Sequence, residues 1–218
     1  MNDLFKKTAS ILSWIALINL SFYLLAPEVY SVPIMLTAIV LLLLFTCIDI
    51  LIRPISARRD EFNPWILAVL FLLVPFALVL PFHENRFFIS SYVPELNAIL
   101  ISYAGIFFLV SGGIIDLVGR IQLGKYGGPK IVVEEEHRLI TRGLYTHVRH
   151  PMYLGFLLLF FGFCLTFRSY VFTFLISGGL FLVLRSRMEM EERLLISKFG
   201  QEYLLYARRT KRLIPFLY

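Results

Sequence analysis

The feature that most constrains this chain is a series of long stretches almost free of charge. A helix that crosses a bilayer needs ~20 apolar residues, with about 17–25 tolerated. Segments of that kind run from Thr8 to Ala26, Pro33 to Ile52, Pro64 to Pro81, Leu96 to Val118, Pro151 to Phe167 and Tyr170 to Leu184. Arg53-Pro54 ends the second, and Pro75 is placed to kink the third. The last two are near the short limit, and only Arg168-Ser169 separates them, which requires a tight hairpin. Hydrophobic residues make up 58% of the chain, above the roughly 45–50% usual in soluble domains. The expected fold is therefore all-α: a polytopic membrane protein of about six transmembrane helices. Lys6 and Lys7 precede the first run, but no small-residue cleavage site follows it, so it reads as a retained anchor.

The basic residues give the orientation. Cytoplasmic loops collect Lys and Arg. With six spans, all of the 21 except Arg86 and Arg168 fall on the side of the N-terminus. Both termini are expected in the cytoplasm: at the plasma (inner) membrane in a prokaryote, at the endoplasmic reticulum in a eukaryote. The formal charge of +6 then reports topology and lipid headgroups, with no nucleic-acid partner implied. Cys47 and Cys164 lie far apart within apolar runs and read as small buried hydrophobes.

Two polar regions are large enough to build a site: the loop from Gly119 to His150, and the tail after Leu184. Residues 1–119 read as a four-helix membrane region, and 120–218 as the region that builds a cytoplasmic pocket. The loop opens on the turn-forming Gly124-Lys125-Tyr126-Gly127-Gly128-Pro129, which lacks the Gly-Lys-Ser/Thr of a phosphate-binding loop. Ile131-Val132-Val133 is a weak strand candidate, and Glu134-Glu135-Glu136 reads as a solvated charge run. His137, His147 and His150 show no firm metal-ligand spacing, so no metal is expected.

The loop ends on Arg149-His150-Pro151-Met152-Tyr153. Proline is favoured at the first helical position, where it has no N–H to lose. A helix starting at Pro151 leaves the N–H groups of Met152, Tyr153 and Leu154 without intrahelical partners, and with the helix dipole they suit an anion. Arg149 and His150 stand beside that point; the plainer alternative is an interfacial cap whose basic residues meet lipid phosphates. In the tail, Arg187 and Glu191 share one helix face, and Gly200 is expected to end that helix. The cluster Arg208-Arg209-Lys211-Arg212 suits anionic headgroups, and Pro215-Phe216-Leu217-Tyr218 an interfacial anchor. Asp49 and Asp116, near cytoplasmic span ends, either snorkel or face the same cavity.

Three stretches in order resemble the isoprenylcysteine carboxyl methyltransferase family and its phospholipid-methyltransferase relatives. They are His137-Arg138-Leu139-Ile140-Thr141-Arg142-Gly143-Leu144-Tyr145, Arg149 to Gly155, and Arg187 to Glu192 followed by Phe199-Gly200-Gln201-Glu202-Tyr203. The resemblance covers about a third of the chain. It implies S-adenosyl-L-methionine as cofactor, with His137, Arg138, Leu139, Ile140, Tyr145, His150, Pro151, Met152 and Tyr153 lining its pocket. It also implies that Glu191 contacts the cofactor, and that Arg187 faces a lipophilic or lipidated acceptor, either a prenylcysteine-like carboxylate or a lipid amine. Some eukaryotic members have Gln seven residues before the His; Lys130 stands there here. The competing readings are an NADPH-dependent sterol-type reductase, whose C-terminal pattern is similar, and a non-catalytic lipid-binding membrane protein.

Overall fold

The computed structural model describes residues 3–52, 76–89, 95–126 and 138–214. Its helices are α1 (Asp3–Leu25), α2 (Pro33–Ile52), α3 (residues 76–84), α4 (Glu95–Leu123), α5 (Pro151–Thr166), α6 (Val171–Phe199) and α7 (Gln201–Arg209). Helices α1, α2, α4 and α6 are long and apolar enough to cross a bilayer, and α5 is a shorter apolar helix. The chain is an integral membrane protein whose described residues build an all-helical fold. Helix α3 ends the expected third span. The rest of that span before residue 76 lies outside the described residues, as do Ile131–Val133, Glu134–Glu136, Lys130, His137 and Pro215–Tyr218.

The core gathers Phe22 of α1, Met35 and Ile39 of α2, Leu78 of α3, Leu109 of α4 and Phe163 of α5 around the ring of Phe167. Phe22 and Phe167 stack at 6.0 Å, both fully buried. Helices α4 and α5 approach much closer than side chains would allow. Gly105 and Gly112 of α4 face Gly162 and Gly155 of α5, both pairs at seven-residue spacing. A Cβ on Gly112 would fall 2.4 Å from the backbone nitrogen of Leu159, and one on Gly162 would fall 2.2 Å from that of Leu109. Small residues at such spacing let membrane helices meet backbone to backbone, where dispersion does the work that apolar burial does in water.

Helices α5 and α6 form the expected hairpin. Arg168 takes φ +59°, uncommon for a residue with a Cβ, and donates from Nε to Ser102 Oγ at 3.1 Å. The start of α6 is capped from another helix. The buried Glu84 carboxylate accepts the N–H groups of Tyr170 (2.8 Å), Val171 (2.8 Å) and Phe172 (2.9 Å) and the Ser169 hydroxyl. Three orphan N–H groups and one hydroxyl are satisfied by one anion at the positive end of the dipole.

Two boundaries differ from expectation. Helix α1 begins at Asp3, five residues before Thr8. Helix α4 does not stop at Val118: it continues to Leu123, because Arg120 finds a carboxylate partner inside the bundle instead of needing solvent. At 29 residues each, α4 and α6 rise ~43 Å, past the ~30 Å hydrocarbon core. Beyond α6, Gly200 takes φ +51° and turns the chain into α7, as expected for a glycine there. The segment after α7 then lies parallel to residues 147–150, with a bridge between Val148 and Lys211.

Candidate active site

Pro151 is the first residue of α5, as the sequence indicates, and His150 is its N-cap. Of the three N–H groups expected to be open, that of Leu154 donates to the His150 carbonyl at 3.2 Å. The opening available to an anion is therefore the first turn at Met152 and Tyr153. Across from it runs the C-terminal extension of α6, which carries Arg187, Glu191 and Glu192.

Glu191 sits in a connected cluster. The Tyr153 hydroxyl donates to its carboxylate, and Arg187 Nε donates to the Tyr153 oxygen at 2.7 Å. Arg187 Nε also lies 3.4 Å from Glu191 Oε1, and its guanidinium stands 5.9 Å from the Tyr153 ring centroid. The expected one-turn ion pair of Arg187 and Glu191 is thus present, with Tyr153 inserted as a third member. The His150 ring stacks on Tyr153 at 5.5 Å, with Nδ1 3.6 Å from Glu191 Oε2. The Glu191 side chain keeps 25% exposure.

Glu192 faces the other way and is buried. Its Oε1 accepts from Arg149 Nε at 2.8 Å and lies 3.2 Å from His150 Nε2, and its Oε2 accepts from Arg212 Nη2 at 2.6 Å. A carboxylate can only accept, so Nε2 carries the His150 proton. Arg149 Nη1 donates onward to the carbonyls of Ala207 (3.0 Å) and Thr210 (2.6 Å). Backbone bonds complete the clamp: Arg149 N–H to Lys211 O at 2.8 Å and His150 N–H to Arg212 O at 3.1 Å. Sequence reasoning places Arg149 beside a bound anion and Arg212 among headgroup contacts. Both instead turn inward to Glu192, because a buried carboxylate needs cationic donors and these two reach it.

The 3-10 turn Gly143–Thr146 leads into this corner. Gly143 takes φ +64° against the Gln122 side chain, where a Cβ would come within 2.3 Å of Nε2. Gln122 Oε1 accepts the Leu144 N–H at 2.9 Å, and the Tyr145 hydroxyl donates to Gly119 O at 3.3 Å. Tyr206 of α7 donates its hydroxyl to Tyr145 O at 2.8 Å. Burial pushes the Tyr145 phenol well above its ordinary range and that of Tyr206 up to about 12, so both remain neutral donors at physiological pH. Tyr145, His150, Pro151, Met152, Tyr153, Arg187 and Glu191 thus converge on one corner. Arg138 is exposed, and Leu139 and Ile140 are half-buried on the irregular chain that enters it.

Sequence reasoning also missed a second polar group, at the C-terminal ends of α2 and α4. Arg120 pairs with Asp49 and lies 3.9 Å from Asp116 through Nη2, with all three side chains largely buried. The two carboxylates are visible in the sequence as charges near span ends; Arg120, just past the fourth apolar run, reads as a loop residue, and that hides the pairing.

Comparison with known proteins bears on the same corner. Residues 105–197 match the model of the isoprenylcysteine carboxyl methyltransferase (ICMT) family. A probable protein-S-isoprenylcysteine O-methyltransferase of Oryza sativa subsp. indica is 31% identical over 127 residues, 57% of this chain and 66% of the rice protein. The protein-S-isoprenylcysteine O-methyltransferase of Schizosaccharomyces pombe is 35% identical over 83 residues, 38% of this chain and 35% of its own length. The chain therefore spans about two thirds of the one relative and about a third of the other. A solved structure of the eukaryotic intramembrane Ras methyltransferase ICMT aligns over 92% of this chain and 73% of its own, with TM-score 0.67 and 22% identity, which shows a shared fold. The matched stretch, residues 105–197, contains Tyr153, Arg187, Glu191 and Glu192 and is similar to the isoprenylcysteine carboxyl methyltransferase family.

Proposed function

We propose that this chain transfers a methyl group from S-adenosyl-L-methionine to a lipophilic acceptor at the cytoplasmic membrane face, and that the acceptor is a carboxylate of the prenylcysteine kind. The observation that carries the reading is the cluster of His150, Tyr153, Arg187 and Glu191 at the start of α5, within the family-matched stretch. The relatives are named for O-methylation of protein-bound isoprenylcysteine.

The donor set fits the cofactor by its chemistry. Glu191, still part-exposed, suits an ammonium group or ribose hydroxyls. The first-turn N–H groups of α5 suit a carboxylate. The stacked rings of His150 and Tyr153 offer a flat apolar face to a heterocycle. Arg138, Leu139 and Ile140 lie on the chain that enters this corner, and region 120–218 serves as the catalytic region beside the N-terminal membrane region 1–119. When bound, S-adenosylmethionine supplies a methyl group on a positively charged sulfur.

The chain's own contribution is placement. An ionised acceptor carboxylate needs no general base, so alignment and exclusion of water account for most of the barrier reduction. Arg187 lies one helical turn nearer the membrane interior than Glu191, ~6 Å along α6. An acceptor arriving from the bilayer meets Arg187 first, and a cofactor arriving from water meets Glu191 first. Guanidinium is suited to a carboxylate and repels an ammonium acceptor. Tyr153 and Glu191 hold Arg187 in orientation for that role.

The test is a thermal-shift titration of the full chain in detergent with S-adenosylhomocysteine, and with NADPH in parallel. A ligand that binds only the folded state raises Tm with its concentration. A rise with S-adenosylhomocysteine alone is expected. A rise with NADPH alone would overturn the reading in favour of a reductase, and no rise with either would favour a non-catalytic lipid-binding protein.

A further inference from the structure

Asp49 belongs to α2, outside the stretch 105–197 that matches the family, yet it reaches the machinery of the site. Its carboxylate pairs with Arg120, the residue immediately after Gly119 on α4. The Gly119 carbonyl receives the Tyr145 hydroxyl, and Gln122 one turn along receives the Leu144 N–H. Gly119 also packs directly on Met152: a Cβ there would lie 2.9 Å from Met152 Cγ. One turn of α4 therefore places both the Gly143–Thr146 turn and the first turn of α5.

Nothing about a helix end alone holds it to this accuracy. The last turn of a helix frays, because its carbonyls lack intrahelical partners. In α4 that turn is fixed laterally. Phe45 of α2 packs against Gly113, where a Cβ would come within 2.6 Å of its ring. One helical turn beyond Phe45, Asp49 takes Arg120. The aromatic contact sets how closely the helices approach, and the ion pair sets the rotation and height of the final turn. Both ions are more than four-fifths buried, so the attraction is little screened by salt. Tyr145 lies within the electrostatic reach of Arg120, Asp116 and Glu191, so the two polar groups meet at its side chain.

We infer that Asp49 is a positioning residue for the cofactor side of the site: by holding Arg120 it fixes the α4 turn that places Leu144, Tyr145 and Met152. The inference rests on the methyltransferase reading above. It gives the N-terminal spans a part in the chemistry beyond anchoring.

The experiment is calorimetric titration of the full chain in detergent with S-adenosylhomocysteine, well below the Tm of each variant, so that every sample is folded. Asp49→Ala and Arg120→Ala are each expected to weaken binding about tenfold, since remote misplacement at a site costs one to two orders of magnitude. The double variant should lose no more than either single variant, because the two residues act as a unit. Asp49→Glu, which keeps the charge, should restore affinity to within about threefold of wild type. Phe22→Ala, in the core at the opposite end of α5 from this turn, is the control: it should lower Tm while leaving the dissociation constant within about twofold. Asp49→Asn replaces Asp49→Ala if the latter does not fold. Unchanged affinity in Asp49→Ala (or in Asp49→Asn where it replaces it), or equal loss in Phe22→Ala, would overturn the inference while leaving the functional reading intact. Failure of the wild-type chain to bind S-adenosylhomocysteine would overturn both.

Discussion

Glu191 and Glu192 are adjacent in sequence and differ in what surrounds them. Glu191 faces Tyr153 and Arg187 and stays part-exposed; Glu192 is enclosed by Arg149, His150 and Arg212. Successive helical residues are ~100° apart, so the pair divides its labour by geometry alone. Glu191→Ala is expected to weaken S-adenosylhomocysteine binding with little loss of Tm, because Glu191 and its cationic partner Arg187 are both part-exposed. Glu192→Ala leaves two guanidinium groups without their counter-charge, a change that costs about 3 kcal/mol or more when a buried pair is broken. Its Tm should fall well below that of Glu192→Gln, which keeps volume and two polar atoms. A melting series of the three variants separates the roles, and equal Tm values for Glu191→Ala and Glu192→Ala would remove the distinction. Arg187→Ala should abolish methyl transfer to a farnesylated cysteine derivative while calorimetry still finds cofactor affinity within a few-fold of wild type. Loss of cofactor binding in that variant would remove Arg187 from the acceptor side.

At the scale of elements, the glycines of α4 and α5 carry the argument. Gly112→Ala and Gly162→Ala place a methyl against opposing backbone, which cannot rotate away, so the helices must separate. Overpacking of this kind costs about 1–3 kcal/mol, and the shift of α5 relative to Gly119 should also weaken cofactor binding. Gly178 and Gly179 of α6 provide the contrast. A Cβ at either meets nothing within 4 Å, so alanine there should be neutral or raise stability by up to about 1 kcal/mol through helix propensity. Thermal melting of the four variants tests the seam, and similar losses in both sets would refute it. The same elements show what the sequence can convey. Spans such as Pro33–Ile52 emerge at both ends because hydropathy and proline mark them locally. The α4–α5 seam was not legible, since glycine at seven-residue spacing resembles any small residue in an apolar run until a partner helix is known. Glu84 capping α6 from 86 residues away, through Tyr170, is likewise a long-range fact. Within the site, Pro151, Tyr153, Arg187 and Glu191 were readable because each lies in a short local pattern. Arg212 was not, because its neighbours Arg208, Arg209 and Lys211 made it one of a basic cluster.

For the whole molecule, helix lengths decide where chemistry can occur. The 16 residues of α5 rise only ~24 Å, while α4 and α6 rise ~43 Å. The start of α5 therefore lies beside the flanks of two longer helices, and the open side of that step needs a cover. The tail provides it. Segment 210–213 pairs with 147–150, Arg149 donates to Ala207 and Thr210, Tyr206 donates to Tyr145, and Arg212 reaches Glu192. These contacts fix the residues that turn the chain into α5, and of the residues that make them only Glu192, on the C-terminal extension of α6, belongs to a helix long enough to cross the membrane. Removing residues 210–218 should leave the bundle inserted and folded, since the core around Phe22, Leu109 and Phe167 lies elsewhere. Cofactor binding should be lost, because Glu192 would hold Arg149 and His150 without Arg212 and the pairing of 147–150 would be gone. The truncated chain should resist alkaline extraction from membranes as wild type does, while S-adenosylhomocysteine no longer raises its Tm. A truncated chain that still binds the ligand with wild-type affinity would show that the tail merely lies on the site and that α4, α5 and α6 suffice to shape it.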